Sequence, residues 1–389
     1  MNMSPRLALY LGIVAALALG VLIAIFFGSA SVFSPSTDVA PIASSSMSIA
    51  QNNSEPLVVI PDAAQTIATT TAPTPATPTS KKNVVLSTPA AASVTVFAPA
   101  SSPPSQQEFE ASAAVLRAAL VNIICYVPPG SGLRSISGSG VIIDAKGIIL
   151  TNAHIAQYFL LADHGVSCVI RSGNPATNKY TAALMYISPP WIRANSGVLT
   201  ETMPGGTGEH DFALLAITKS AGGGSASGGS TTVLPSSFPY VALAIAPPLP
   251  GTPVVIASYG AQFLESNQIQ SNLFPTVVFG SVKDVFTFAV NTVDVLALGG
   301  SAAAQEGSSG GGVVATNNTL VGTITTSTVT GATATRSLSA ITASYIRADY
   351  AGDTGQPIDL LLAQSPAAAV ANFAPQIPAL ESILTAQLP

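Results

Sequence analysis

The chain has 389 residues, enough for one large or two modest domains. Only 8% of them are charged, against about a quarter in ordinary soluble domains, and a net charge of −5 without a basic patch gives no reason to expect a nucleic-acid partner. Two cysteines and three histidines exclude a disulfide-dense scaffold and a four-ligand zinc site.

In chain order, residues 1–6 carry Arg6 and are followed by an apolar run, 7–28, without a charged residue. As a helix that run spans about 33 Å, close to the hydrocarbon thickness of a bilayer. It is long for a signal-peptide core, which favours a retained single-pass anchor; cleavage after Ala30 is the alternative. With Arg6 before the run and the next lysine at Lys81, the bulk of the chain is expected to face away from the cytoplasm. Residues 29–105 are rich in Ser, Thr, Ala and Pro, as in "TTTAPTPATPTSKK". Such a stretch has too little bulky apolar surface to offset its ordering entropy and reads as a disordered stalk, with ends on the order of 50 Å apart.

The pattern changes at Gln106. In "QQEFEASAAVLRAAL", Phe109, Ala113, Leu116 and Leu120 recur at helical spacing, and "VNIICYV" reads as a strand. From there to about Tyr350, short β-branched runs alternate with turn signals: "SGVIIDAKGIILTN", "FALLAI", "TPVVIASYG", "PTVVFGSV", "GGVVATNNTLVGTITTS". Many short strands without long helices between them predict an all-β sandwich or barrel. The Gly/Ser stretch "SAGGGSASGGST" falls midway and reads as a linker.

Three places bear chemistry. In "GIILTNAHIAQYF", His154 follows a strand in a short polar turn that leads into a helical turn. In "GEHDFALLAI", Asp211 heads an apolar strand, and in "QEGSSGGGVV", Ser309 sits in a tight turn before another strand. Hydroxyl, imidazole and carboxylate are the set that nucleophilic acyl transfer needs: serine attacks only once a base takes its proton, and a buried carboxylate orients that base.

With these landmarks in the order His, Asp, Ser, residues 120–350 resemble a trypsin-like (chymotrypsin-fold) serine peptidase, in particular the HtrA/Deg-like branch. The first landmark resembles "GSGVIIDAKGIILTNAHIA" at 138–156, the second "HDFALLAI", the third "SAAAQEGSSGGGVV". The resemblance implies a pair of six-stranded β-barrels with the active site between them: a domain over 106–350, with barrel 1 at about 120–219, a linker at 220–236, barrel 2 at about 237–350 and a tail at 351–389. It implies His154 as general base, Asp211 as orienting acid, Ser309 as nucleophile and the amides of Gly307 and Ser309 as oxyanion donors. No metal or organic cofactor is required, and the partners are protein or peptide substrates. The glycines have a physical reason: two amides converging on one oxyanion force backbone conformations and close approaches that side chains obstruct.

The sequence departs from the family pattern at Ser308, where Asn or Asp is usual, and at Gly312, where Pro is usual. Between the histidine and the aspartate, "MYISPPWIRANSGVLTETMPGGTGEH" reads as an inserted loop beside the cleft. By the resemblance Ala303 helps floor the specificity pocket and "TTSTVTG" supplies a small, neutral wall, so small or medium apolar residues are expected before the scissile bond. Glu306 rims the cleft or is a plain surface carboxylate. His164 and His210 read as surface or loop histidines; His210, beside Asp211, is the rival base, but strand alternation points it the other way. Asp144, Asp163 and Asp294 read as turn or solvated residues. Cys125 and Cys168 both fall in the first barrel, where a bridge contributing about 4 kcal/mol is topologically allowed; two buried thiols are the alternative. The tail is too short for the PDZ domain that many HtrA-type peptidases carry. The expectation is thus a membrane-anchored, extracytoplasmic serine endopeptidase; the alternative is a catalytically weak or inactive protein-binding module on the same fold.

Overall fold

The computed structural model describes residues 105–388, apart from 202–204, 222–232, 289–290 and 328. The expected anchor at 7–28 and nearly all of the expected stalk lie outside the described residues. Among the described residues no helix is long and apolar enough to cross a membrane.

The domain begins with helix α1, Gln106–Ala119. Its start is a capping box: the Glu108 amide donates to Ser105 Oγ (3.3 Å), and the Ser105 amide donates to Glu108 Oε2 (2.7 Å). The hydrogen bonds from Ser105, backbone first, hold the Glu108 carboxyl below the usual range. Ala113 and Leu116, on the stripe predicted by their spacing, are buried, while Phe109 is only partly so.

Strands β1 (Leu120–Tyr126), β2 (Ile136–Asp144), β3 (Ile148–Thr151), β4 (Ser167–Gly173), β5 (Ala176–Ile187) and β6 (Ala213–Ser220) close a barrel in the order β1-β2-β3-β6-β5-β4. Their side chains fill it densely: Ile123, Val141, Ile148, Ile149, Leu150, Leu214 and Leu215 are fully buried. Cys125 lies directly opposite Cys168 in the β1–β4 ladder, and their sulfurs are bonded at 2.05 Å. A short helix α2, Ala153–Ala156, follows β3; α3, Pro189–Asn195, follows β5; and α4, Ser266–Ser271, belongs to the second half. The segment expected as an inserted loop is therefore partly helical, with Ser188 capping α3 and Trp191 and Ile192 buried.

The second half differs from expectation. Strands β7 (Pro253–Ser258), β8 (Thr276–Ser281), β9 (Asp284–Phe286), β10 (Val295–Ala297), β11 (Gly312–Ala315), β12 (Leu320–Ser327) and β13 (Leu338–Thr342) form one open sheet, order β8-β7-β11-β12-β13-β10-β9. This is a half-barrel of seven strands in place of a closed barrel of six. Only two residues separate β8 from β9, and their amides extend the ladders on either side: Val282 donates to Thr252, next to β7, and Lys283 to Ala297 of β10. The three-residue β9 pairs with β10, at the opposite end of the sheet order from β8. Nor does a second barrel begin at 237. Residues 237–252 run as a strap along both halves, with Val241 donating to Ile142 and Ala244 to Leu320.

The tail is not all-β. Helix α5, Ala343–Thr354, is capped by Thr342 and ended by Gly355 in the left-handed region (φ 70°). Helices α6 (Ile358–Ala363), α7 (Pro366–Phe373) and α8 (Ile377–Thr385) follow and fold back onto the first barrel, α7 against β5 and β6 and α8 against α3. An aromatic cluster seals this contact: Tyr186 stacks on Phe212 and meets Tyr350 and Phe373 edge-on.

Candidate active site

His154 sits in the first turn of α2, immediately after β3. Asp211 lies in the turn before β6, three residues after Gly208 (φ 89°) and one after His210, itself left-handed at φ 59°. A Cβ on Gly208 would come within 2.7 Å of Thr325 Cγ2, so glycine there lets Thr325 approach the carboxylate. Both oxygens of Asp211, a nearly buried side chain, are engaged. Oδ1 accepts the His154 amide (3.0 Å); Oδ2 accepts His154 Nδ1 (2.8 Å) and the Thr325 hydroxyl (2.8 Å). Asn152 donates to the Asp211 carbonyl, and Gln157 to the carbonyl of His154. A carboxylate facing Nδ1 assigns the proton to that nitrogen and leaves the lone pair on Nε2. Nε2 has no partner among the described residues.

Ser309 lies in a turn between two left-handed glycines, Gly307 (φ 87°) and Gly310 (φ 83°). The turn is held from three sides. The Ser308 amide donates to Gln305 and the Gly311 amide to Ser308; Gly310 and Ile324 tie it to β12; and the Ser139 amide of β2 donates to the Ser309 carbonyl at 2.7 Å. The Ser139 side chain donates to the Gly307 carbonyl (2.8 Å) and accepts from the Tyr259 amide (2.8 Å), while its own carbonyl accepts the Thr151 hydroxyl (2.7 Å). A Cβ on Gly310 would run into that same carbonyl and into Thr151, three residues before His154. The Ser309 turn and the His154 turn are therefore clamped onto the same two residues of the first barrel. Neither the Gly307 and Ser309 amides nor the Ser309 hydroxyl has a hydrogen-bond partner among the described residues.

The two departures have local accounts. Ser308 is buried, and its hydroxyl accepts from Ser258 (3.1 Å), so it packs into the second sheet. Gly312 opens β11 where a Cβ would come within 2.8 Å of Leu116 of α1 and Val141 of β2; glycine makes room for the amino-terminal helix.

Other sequence-predicted residues are dispersed. Ala303 is fully buried, whereas Glu306 is exposed and uses its carbonyl to accept the Ala261 amide (2.8 Å). His164 pairs with Glu381 of α8. His210 is on a turn, not a strand, and its Nδ1 contacts both oxygens of Asp349 at 2.8 and 2.9 Å. Asp294, expected in a turn or on a solvated face, is buried, accepting from the hydroxyls of Thr287 and Thr292 and the amide of Phe288: three donors meet its desolvation cost. Sequence reasoning missed Ser139 and Thr325, since nothing local marks either one; only the "GSG" before the histidine strand and the "TTS" after the serine strand held a trace. Among the described residues no group of three or more His, Cys, Asp or Glu could hold a metal ion.

Residues 138–322 match the family model of the trypsin-like peptidase domain. Among solved structures, the active form of the Rv3671c protease from M. tuberculosis is 17% identical with a TM-score of 0.40, over 67% of this chain and 96% of that one. The inactive form of the same protease is 16% identical with a TM-score of 0.37, over 66% of this chain and 100% of that one. No curated protein matches the chain. The matched segment runs from β2 to β12 and contains both turns described above: the chain carries a trypsin-like peptidase domain and is a serine-type peptidase.

Proposed function

We propose that Ser309 attacks the peptide carbonyl of a protein or peptide substrate. His154 takes its proton through Nε2 and returns it to the leaving amine, Asp211 holds the imidazole in that tautomer, and the amides of Gly307 and Ser309 receive the oxyanion. The observation that carries this reading is the Asp211 carboxylate: it spends both oxygens on His154 and accepts a third bond from Thr325, leaving Nε2 without a partner among the described residues. The free amides of the Ser309 turn suit an oxyanion, because two backbone donors without an acceptor in the protein are open to one supplied by a substrate. Ser139 and Thr151 act as positioning residues joining the two turns.

The string at 138–156 favours the HtrA/Deg-like branch. The uncharged run at 7–28 behind Arg6 favours a single-pass anchor, and the Pro/Ser/Thr-rich 29–105 a stalk presenting the domain outside the cytoplasm to envelope or extracellular proteins. A fluorophosphonate probe tests the chemistry: the full chain is expected to be labelled at Ser309, with labelling and casein hydrolysis both lost in Ser309→Ala. A folded protein that takes no label is instead a binding module.

A further inference from the structure

Arg336, between β12 and β13, is only 5% exposed. Its guanidinium donates to neutral oxygens alone: Nε and Nη2 to the Gly331 carbonyl (3.0 and 2.8 Å), and Nη1 to the Ala304 carbonyl (2.7 Å) and to Gln262 Oε1 (2.6 Å). None of the ion pairs among the described residues includes it. Hydrogen bonds to carbonyls satisfy N–H groups, but a buried cation still lacks the countercharge that would offset its desolvation. Four of its five N–H groups are used, which leaves one on Nη2.

The segments it joins adjoin the serine turn in the chain or bond to residues that do. Ala304 follows Ala303, six positions before Ser309. Gly331 lies in the loop that follows β12, the strand that carries Thr325, which is bonded to Asp211. Gln262 in turn donates to Val329 of that loop (2.9 Å), and the preceding Ala261 amide bonds Glu306. On the outer side, the guanidinium lies 5.7 Å from the centre of the Phe263 ring, which is 64% exposed, so the cation is close to a solvent-open face. Ala303 and Ala304 present only methyl groups, and the carboxylate of this segment, Glu306, is exposed.

We propose that Arg336 is a specificity-determining residue, selecting a carboxylate side chain, Glu or Asp, at the substrate residue before the scissile bond. This rests on Ser309 being the nucleophile, and it replaces the apolar preference expected from Ala303 and the neutral "TTSTVTG". An incoming carboxylate meets a desolvated charge and an unused N–H, where a charge-assisted bond is stronger than in water. Arg171 shows the contrasting case. It too is buried and bonds neutral oxygens, of Asn122, Ala176, Ile269 and Gln270, but those link β1 and β5 to the 266–271 helix, so its function is to join the two halves.

The test uses the full chain with quenched peptides differing only at that position: Glu, Asp, Gln, Ala or Leu. Glu is expected to exceed its isostere Gln in kcat/KM by on the order of tenfold, one charge-assisted bond. Arg336→Gln should bring the ratio to about one while fluorophosphonate still labels Ser309, and Arg336→Lys should keep part of it. Equal cleavage of Glu and Gln, or a preference for Ala or Leu, by the labelled wild-type protein overturns the proposal and leaves Ser309 untouched. A wild-type protein that takes no label overturns both. Should Arg336→Gln fail to fold, the wild-type ratio and Arg336→Lys decide.

Discussion

Two histidine–carboxylate pairs meet at consecutive residues. Asp211 takes His154; His210 takes Asp349. Bond lengths barely differ, 2.8 Å in each, so the chemistry of the pair alone does not separate them. Their surroundings do. Asp211 also receives the His154 amide and the Thr325 hydroxyl, and Ile324, next to Thr325, bonds the glycine-flanked turn of Ser309. His210 instead has Glu209 3.9 Å from its Nε2, donates its amide to the Tyr345 hydroxyl, and docks α5 against the turn that carries Asp211. A His–Asp pair is catalytic only where its second nitrogen is offered to a nucleophile; elsewhere it is a rivet.

The sharpest way to break that distinction is to remove each imidazole. Under the proposed mechanism His154→Ala lowers kcat by on the order of 10⁶-fold, as loss of a triad base does. His210→Ala should stay within about twofold in peptide hydrolysis, since nothing in its surroundings reaches a reacting atom. Comparable losses in both would dissolve the comparison. Next in size is the carboxylate exchange. Asp211→Asn, which favours the wrong tautomer, should cost about 10⁴-fold in kcat with the fold intact by circular dichroism. Asp349→Asn should leave kcat nearly unchanged and show its effect in Tm.

Thr325→Val probes the third bond to Asp211. Loss of one hydroxyl donor to a charged, buried acceptor predicts a ten- to hundredfold drop in kcat with little change in KM, roughly 1.5–3 kcal/mol. The smallest effect concerns pH. Burial, opposed by the His210 hydrogen bond, raises the Asp349 carboxyl above its ordinary 3.8. The folded state thus holds this proton more tightly than the unfolded state. Its contribution to stability is therefore greatest below 3.8 and is lost as pH rises from there through the raised value. Melting curves across that window should show wild-type Tm declining relative to Asp349→Asn; an opposite slope would contradict the assigned direction.

The site was legible where its signals are local. The "TNAHI" and "GSSGGG" strings mark a turn after a strand and a turn before one, and glycine is needed there for backbone reasons that a sequence displays. The α1 start was equally local in character, a serine three residues before a glutamate. The Ser139 bridge, the Thr325 bond and the partners of Arg336 were not, because each joins segments far apart in the chain through one side chain whose type is common. That the chain passes from pairing with β7 to pairing with β10 within two residues turns on which carbonyls accept the amides of Val282 and Lys283, and no pattern of side chains encodes that. The burial of Asp294 likewise depends on donors that only the β9–β10 connection gathers around it.

What the amino-acid order determined by itself was a strand-rich domain, its helical entry at Gln106, and the three turns bearing imidazole, carboxylate and hydroxyl, since alternation, capping and glycine conformation act within a few residues. The tertiary structure decided the rest: that Asp211 reaches His154 and not its neighbour His210 serves that end, that the carboxy-terminal helices cover the first barrel, and that a buried arginine stands behind the serine segment without a countercharge. Those outcomes depend on desolvation and on pairings across the fold, which are energies of the assembled interior and not of any short stretch of chain.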